Sequence, residues 1–308
     1  MEKRLKMTVM EIDAGKTIQE YLKDPAGFSK AQIKSMKFRE NGICLNGEQS
    51  RVTARLRKGD VLELLVDDER KNSEHLVSDV GLPVVLYEDE DVIVVNKPSG
   101  TAVHPSHGHY SDTLANQMAA YFRQKQEIVQ VHSIGRLDKE TSGVVLFAKN
   151  RIAAARLSKQ REQGKLRKQY LAVCAWEGGE LPENRISKGE YQVISEPIAP
   201  LEGSLMKMSV HKEGKPAVTH YCVEEYFADA ALLRLWLETG RTHQIRVHMA
   251  SLGHPLLGDL LYGGNDMRLK RAALHAEILE FYQPFTGEKI WVRAELPKDM
   301  ADLIKTQK

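Results

Sequence analysis

The run Ile134-Gly135-Arg136-Leu137-Asp138-Lys139-Glu140-Thr141-Ser142-Gly143, leading straight into Val144-Val145-Leu146-Phe147-Ala148-Lys149, decides how the rest of this chain is read. Its first half sets one Asp beside one Arg among small residues (Gly135, Thr141, Ser142, Gly143), which let backbone and ligand come close. Its second half is an apolar run of strand length, the pattern of a buried strand. A carboxylate fixed at the end of such a strand can act as a nucleophile or as a base. An isolated Arg-x-Asp is usually only a polar turn, so the surrounding chain has to carry the reading.

Outward from this run, composition sets the bounds. A chain of 308 residues with 42% hydrophobic content has room for two domains and material for a core. No apolar stretch approaches bilayer length, which argues against a membrane partner. The charged N-terminus MEKRLKMTVMEIDAGKTI lacks the apolar core and cleavage site of a secretory signal. Cys44, Cys174 and Cys222 are odd in number and widely spaced. They argue against a disulfide framework or zinc finger and for a reducing cytoplasm.

The net charge of +2 hides an uneven distribution. Lys30, Lys34, Lys37, Arg39, Arg51, Arg55, Arg57 and Lys58 face only Glu40 and Glu48 between Ser29 and Lys58. Lys149, Arg151, Arg156, Lys159, Arg161, Lys165, Arg167 and Lys168 face only Glu162 between Lys149 and Tyr170. Two basic surfaces on a nearly neutral chain suit a polyanion such as nucleic acid.

Residues 12–66 read as a compact module. Thr17 to Leu22 is a short amphipathic helix, and Ser29 caps a second one. That second helix turns Ile33, Met36 and Phe38 inward and Lys30, Lys34 and Lys37 outward. Ile43-Cys44-Leu45 meets a hairpin turn at Asn46-Gly47, and Val61–Val66 closes the unit as a strand. Residues 67–79 are charged and aperiodic, a flexible linker through which the module would act as a tether. Within 80–300, strands are expected at 84–87, 92–96, 144–148, 170–175, 217–226, 231–238 and 289–295. Helices are expected near 112–126, 150–163 and 243–252. Their irregular order favours an α+β fold with a mixed, mostly antiparallel sheet.

The Arg-Leu-Asp-x-x-Thr-Ser-Gly block resembles the catalytic-aspartate motif of the RluA-type pseudouridine synthases. Four further segments resemble the same family in its order. They are Val94-Val95-Asn96-Lys97-Pro98-Ser99-Gly100 with Val103-His104-Pro105, Lys168-Gln169-Tyr170-Leu171-Ala172, Leu237 to His248 with Gly253 to Asp259 and Tyr262-Gly263, and Ala273-Leu274-His275-Ala276. Residues 12–66 resemble the RNA-binding domain of the ribosomal-protein-S-four type. One departure is Gly135, where the RluA-type usually has His and the neighbouring RsuA-type has Gly.

The resemblance implies an isomerase that detaches uracil from ribose and reattaches it through carbon, with no cofactor and no metal. It implies Asp138 as the catalytic carboxylate, Arg246 as the cation paired with it on a helix capped by Thr242, and Tyr170 against the target base. Arg136 would fill the place of the extruded base, and Ile245 and Leu274 would form apolar walls. Lys30, Lys34, Lys37, Arg55 and Lys58 would contact RNA. The implied partner is ribosomal large-subunit RNA first and transfer RNA second, met by a cytoplasmic monomer. The opposing expectation is an RNA-binding or assembly factor with an inert synthase fold.

Other chemistries find little support. Gly15-Lys16-Thr17 lacks the first glycine of a phosphate loop, Met10 standing in its place. His104, His107 and His109 fit a solvated loop better than a metal site. No Gly-x-Ser-x-Gly elbow is present.

Overall fold

The computed structural model describes residues 3–24, 26–28, 30–66, 81–106, 108–127, 129, 132–176, 189–204, 206–263 and 268–307. The expected cap Ser29, the expected linker 67–79 and His107 lie outside these residues.

The N-terminal part holds β1 (Lys3–Thr8), α1 (Ile18–Lys23), α2 (Lys30–Lys37), β2 (Ile43–Leu45), β3 (Glu48–Gln49) and β4 (Val61–Val66). Its sheet runs β1-β4-β2-β3. β1 pairs antiparallel with β4 from Lys3↔Val66 to Thr8↔Val61, so the sheet begins upstream of the expected start at 12. A capping box starts α1: Glu20 N–H donates to the Thr17 hydroxyl, and Thr17 N–H to the Glu20 carboxylate. Asn46 and Gly47 both have positive φ, 53° and 88°, the backbone of a tight primed hairpin turn.

On α2, Ile33 and Met36 are buried while Lys30, Lys34 and Lys37 are exposed. Phe38 departs from expectation, being 72% exposed. Two positions beyond Met36, it has rotated more than half a turn from the buried stripe, and the helix has already ended at Lys37.

The second part holds β5 (Val84–Glu88), β6 (Val92–Lys97), α3 (Leu114–Gln124), β7 (His132–Ser133), β8 (Ser142–Ala148), α4 (Arg151–Glu162) and β9 (Arg167–Ala175). It continues with β10 (Gln192–Ser195), β11 (Ile198–Pro200), β12 (Met208–Val210), β13 (Val218–Tyr226), β14 (Ala230–Leu237) and α5 (Gln244–Ser251). It ends with β15 (Leu274–Tyr282), β16 (Lys289–Arg293) and α6 (Lys298–Gln307), which passes the expected end at 300. Among the described residues the main sheet has ten strands in the order β10-β13-β14-β9-β15-β8-β6-β5, with β16 beside β15 and β7 beside β8. This is an α+β fold on a mixed sheet.

The described strand pairs of that sheet are antiparallel except one: β8 runs parallel to β15 at His275↔Ser142 and Ala276↔Gly143. The contact is very tight. Gly143 has φ +115°, and a Cβ there would lie 2.1 Å from the Ala276 carbonyl oxygen. The strand read from Val144–Ala148 is buried at every position from Ser142 on, so its helix-free, β-branched run fills the centre of the core. β11 and β12 form a separate hairpin whose Ile198 packs with Val247 and Tyr262.

The two parts touch through α4. Ile152, 1% exposed, belongs to the N-terminal core with Ile18, Leu22 and Phe28. Arg156 pairs with the buried Asp13 and donates to the Pro284 carbonyl at 2.8 Å, its guanidinium 4.6 Å from the Phe285 ring centre. Lys159 pairs with Asp24 at 3.2 Å, and the Arg151 guanidinium lies 5.8 Å from the Phe28 ring centre. The N-terminal unit is therefore docked, in contrast to the expected free tether. Part of the basic run 149–170 is also spent internally: besides these residues, Lys149 pairs with Glu88 at 3.0 Å.

Candidate active site

The loop that carries Asp138 is held from behind. Lys97, fully buried at the end of β6, donates to the carbonyls of Pro98 (2.9 Å), Thr101 (2.8 Å) and Lys139 (3.0 Å). Gly100 N–H also donates to Lys139 O at 2.9 Å, and the Ser99 hydroxyl donates to Glu140 O at 2.7 Å. These bonds fix the backbone immediately after Asp138, while Thr141 N–H closes a turn onto Asp138 O at 3.1 Å. Burial pushes the Lys97 ammonium down to about 7, opposed by the charge of Asp138.

Ahead of Asp138, Ile134 and Leu137 are buried anchors and Arg136 is exposed at the mouth. Gly135 has φ +80°, which a histidine there would adopt only under strain.

An open cleft of about 870 Å³ lies over this loop. Arg136, Asp138, Tyr170, Ile245, Arg246 and Leu274, the six residues expected at the reaction centre, all line it. They come from the loop before β8, from β9, from α5 and from the start of β15. Arg161, Arg167, Lys168 and Arg241 line the same cleft, against Glu162 and Glu238, so its field favours an anionic ligand. Lys168 is pushed down to about 8 by burial and by Arg161. Lys30, Lys34, Lys37, Arg55 and Lys58 stand on the N-terminal unit. The three α2 lysines are exposed, Arg55 donates to Gly15 O at 2.8 Å, and Lys58 pairs with Glu11 at 2.8 Å.

Tyr170 is 8% exposed, and burial first, then the charge of Asp138, pushes its phenol well up. It is a neutral hydroxyl on an apolar ring, suited to lie against a base and donate a hydrogen bond. Ile245 and Leu274 are 4% and 3% exposed and close the apolar side.

Arg246 departs from its expected pairing. Its Nε and Nη2 donate to the two carboxylate oxygens of Asp259, each at 2.7 Å, and Glu140 lies 3.6 Å from Nη2. The bidentate partner is thus Asp259 rather than Asp138, because the turn after α5 brings Asp259 under the guanidinium. Asp138 acts on Arg246 only through its field.

The start of α5 differs as well. The cap is His243, in the left-handed region at φ 55°, and not Thr242. The work expected of a cap side chain falls to the buried Gln244. Its Oε1 accepts from Arg241 N–H (2.9 Å) and the Thr239 hydroxyl (2.8 Å), and its amide donates to Val218 O (3.0 Å) and the Thr219 hydroxyl (3.0 Å). All of its hydrogen-bonding capacity is used. His243 lines the cleft and meets the Tyr262 hydroxyl through Nδ1 at 2.9 Å, and that hydroxyl accepts from Met208 N–H at 2.9 Å.

Asp259, Gln244, His243 and Tyr262 were thus unassigned in the sequence, although all four stand within the quoted motifs. Asp259 follows Arg246 by thirteen positions, a spacing with no periodic signature.

No group of three or more His, Cys, Asp or Glu side chains able to hold a metal occurs among the described residues. His104 meets the Ser133 hydroxyl and His109 meets Asp112, so these two rings are turned to separate partners. Among the described residues no helix is long and apolar enough to cross a membrane.

The sequence model of the RNA pseudouridylate synthase family matches residues 91–251. The uncharacterized RNA pseudouridine synthase YjbO of Bacillus subtilis (strain 168) is 38% identical over 289 residues, covering 94% of this chain and 98% of its own. Ribosomal large subunit pseudouridine synthase D of Pasteurella multocida (strain Pm70) is 35% identical, covering 91% of this chain and 87% of its own. Among solved structures, human RNA pseudouridylate synthase domain containing 4 superposes with a TM-score of 0.55 at 25% identity, over 72% of this chain and 92% of that one. With its cleft, its sheet and these likenesses in agreement, the chain belongs to the RNA pseudouridylate synthase family and is an isomerase that acts on RNA.

Proposed function

We propose that this enzyme converts specific uridines of ribosomal large-subunit RNA to pseudouridine, with Asp138 as the catalytic carboxylate. The observation that carries the proposal is the convergence of Asp138, Tyr170 and Arg246 on one positively lined cleft. The likeness to a ribosomal large subunit pseudouridine synthase D, 35% identical, supports the choice of RNA. Transfer RNA is the second candidate.

In this reading the target uridine leaves its stack, at a cost of roughly a few kcal/mol, and enters between Tyr170, Ile245 and Leu274. The exposed Arg136 occupies the space it leaves. Asp138 assists departure of uracil, by attacking sugar or base or by taking a proton from the sugar. Tyr170, kept neutral, lies against the ring. Arg246, oriented by Asp259, supplies positive charge to the cleft beside the Asp138 carboxylate. Lys30, Lys34, Lys37, Arg55 and Lys58 on the N-terminal unit contact RNA at a distance from the chemistry. Together these groups speak against an inert binding protein, which would need a cleft but no carboxylate in it.

Isomerisation expels the hydrogen of the uracil carbon that becomes bonded to the sugar. Unmodified large-subunit RNA carrying tritium at that carbon should release it to water on incubation with the enzyme. Asp138→Asn should keep the fold and lose about a thousandfold or more of the rate. Near-normal release by that variant removes Asp138 from its role. Absence of release from large-subunit RNA by the wild type, with release from transfer RNA, overturns the substrate assignment.

A further inference from the structure

The N-terminal unit meets α4 through contacts of a kind that fix position. Asp13 is 1% exposed, and both of its carboxylate oxygens are occupied, one by the Lys16 ammonium at 2.8 Å and the other by Arg156. The Arg156 side chain, itself 9% exposed, reaches on to Pro284 O and lies over Phe285. One guanidinium therefore ties together three places far apart in the chain: residue 13, α4 and the turn before β16.

A buried ion pair adds little net stability over an apolar contact, but it admits one geometry, since either partner left alone keeps an unpaired charge out of water. Close packing agrees. Gly27 has φ +71°, and a Cβ there would stand 2.9 Å from the Ala155 Cβ, so the two backbones meet with no room for a side chain. Ile152 of α4 fills a place in the core of the N-terminal unit.

The same helix leads to the catalytic cleft. Arg161, at the last turn of α4, and Arg167 and Lys168, in the strand that follows it, line the cleft. One rigid element thus carries the N-terminal unit at one side and the cleft mouth at its end.

We propose that the Asp13–Arg156 contact is a specificity device. It holds the lysine face of α2 at one position relative to the cleft, so the enzyme selects folded RNA in which a docking element and the target uridine are rigidly joined. This inference rests on the proposed RNA-modifying function of the cleft. Asp13, Ala155 and Arg156 are positioning residues: they touch neither base nor sugar. A flexible tether would add affinity for any RNA that reaches both sites, whereas a docked unit rewards one spacing and penalises others.

The test uses the full chain with two variants, Arg156→Met, which removes the charge, and Ala155→Glu, which wedges the interface where Ala155 meets Gly27 while leaving the Asp13 network in place. Hydrogen exchange of amides in α4 and residues 11–28 reports the contact without any RNA. Loss of protection is expected in both segments, with the centre of the main sheet still protected. Full protection in both variants overturns the clamp. Turnover and filter-binding affinity are then compared on two probes, an unmodified large-subunit RNA transcript and a short hairpin cut from it around the uridine that the wild type converts in that transcript. On the long transcript kcat/KM should fall about tenfold or more, mainly through KM, and on the hairpin it should hold. The salt dependence of binding should remain, because the α2 lysines are still present. Equal losses on both probes mean that the interface only supports the fold, and no loss on either means that it does not select. Binding that follows this pattern without tritium release by the wild type separates failure of the proposed reaction from failure of the clamp.

Discussion

At the scale of single residues, the chain announces its reactive groups but not their supports. Asp138 was legible because a carboxylate in a small-residue turn before an apolar run is a recognisable unit. The side chains that orient Arg246 were not, because their partners come from other elements. Arg246 and Asp259 are 4% and 0% exposed, and their two 2.7 Å bonds leave neither charge in water. Asp259→Asn should therefore leave a buried guanidinium short of one charge, lowering stability by about 3–5 kcal/mol as well as slowing turnover. Arg246→Lys should fold better than Arg246→Ala yet recover only part of the rate, since an ammonium cannot span both oxygens. Urea midpoints and tritium release measure the two effects separately. An Asp259→Asn protein of normal stability and normal rate would put the guanidinium's anchor elsewhere.

At the scale of elements, most helices and strands followed from pattern; the closing helix α6 went unread, and the missed strands share one cause. β1, β7, β10, β11, β12 and β15 either are short or carry mixed patterns that only their neighbours make strand-like. β15 hid its nature because its first four positions are all buried, the strand being inserted between β9 and β8, and only its second half alternates. Gly143 shows how a sequence cue acquires meaning through such an insertion. In the sequence it is one small residue of a Thr-Ser-Gly turn; in the fold it is where two parallel strands come too close for a Cβ. Gly143→Ala should cost about 3 kcal/mol or more, through both positive φ and the clash with Ala276 O. Thermal unfolding of the purified variant tests this, and an unchanged midpoint would mean that β8 and β15 can part without penalty. Gly135→Ala, also at positive φ but with its nearest neighbour 3.5 Å away, should cost less.

At the scale of the whole molecule, stability is tied to pH through two imidazoles locked in the neutral form. His248 and His275 are each 0% exposed. In each, Nδ1 faces a hydroxyl, of Thr219 or Ser142, and Nε2 faces a carbonyl oxygen, of Glu196 or Ala294. The carbonyl requires Nε2 to carry the proton, leaving Nδ1 to accept. Burial holds both below the ordinary value of 6.5. Below pH 6.5 the unfolded chain takes up protons that these rings refuse, so stability should fall as pH falls, by up to about 1.4 kcal/mol per pH unit for each ring. Denaturation midpoints between pH 8 and 5 check the sign, and a stability that rises toward acid would contradict it. The broad α+β architecture was legible in the chain, whereas the docking of the N-terminal unit was not, since a buried Asp13–Arg156 contact leaves no local mark in either segment. The order of the main sheet carries one more consequence, in time rather than in space. Two blocks of strands, β5-β6-β8 and β9-β14-β13, leave the ribosome before β15 does, each with a bare edge. The strand that joins them, β15, begins only at Leu274, and Leu274 itself is a wall of the cleft. A growing chain therefore presents its α2 lysines long before it has a cleft, and becomes competent for chemistry only once β15 has been made and inserted.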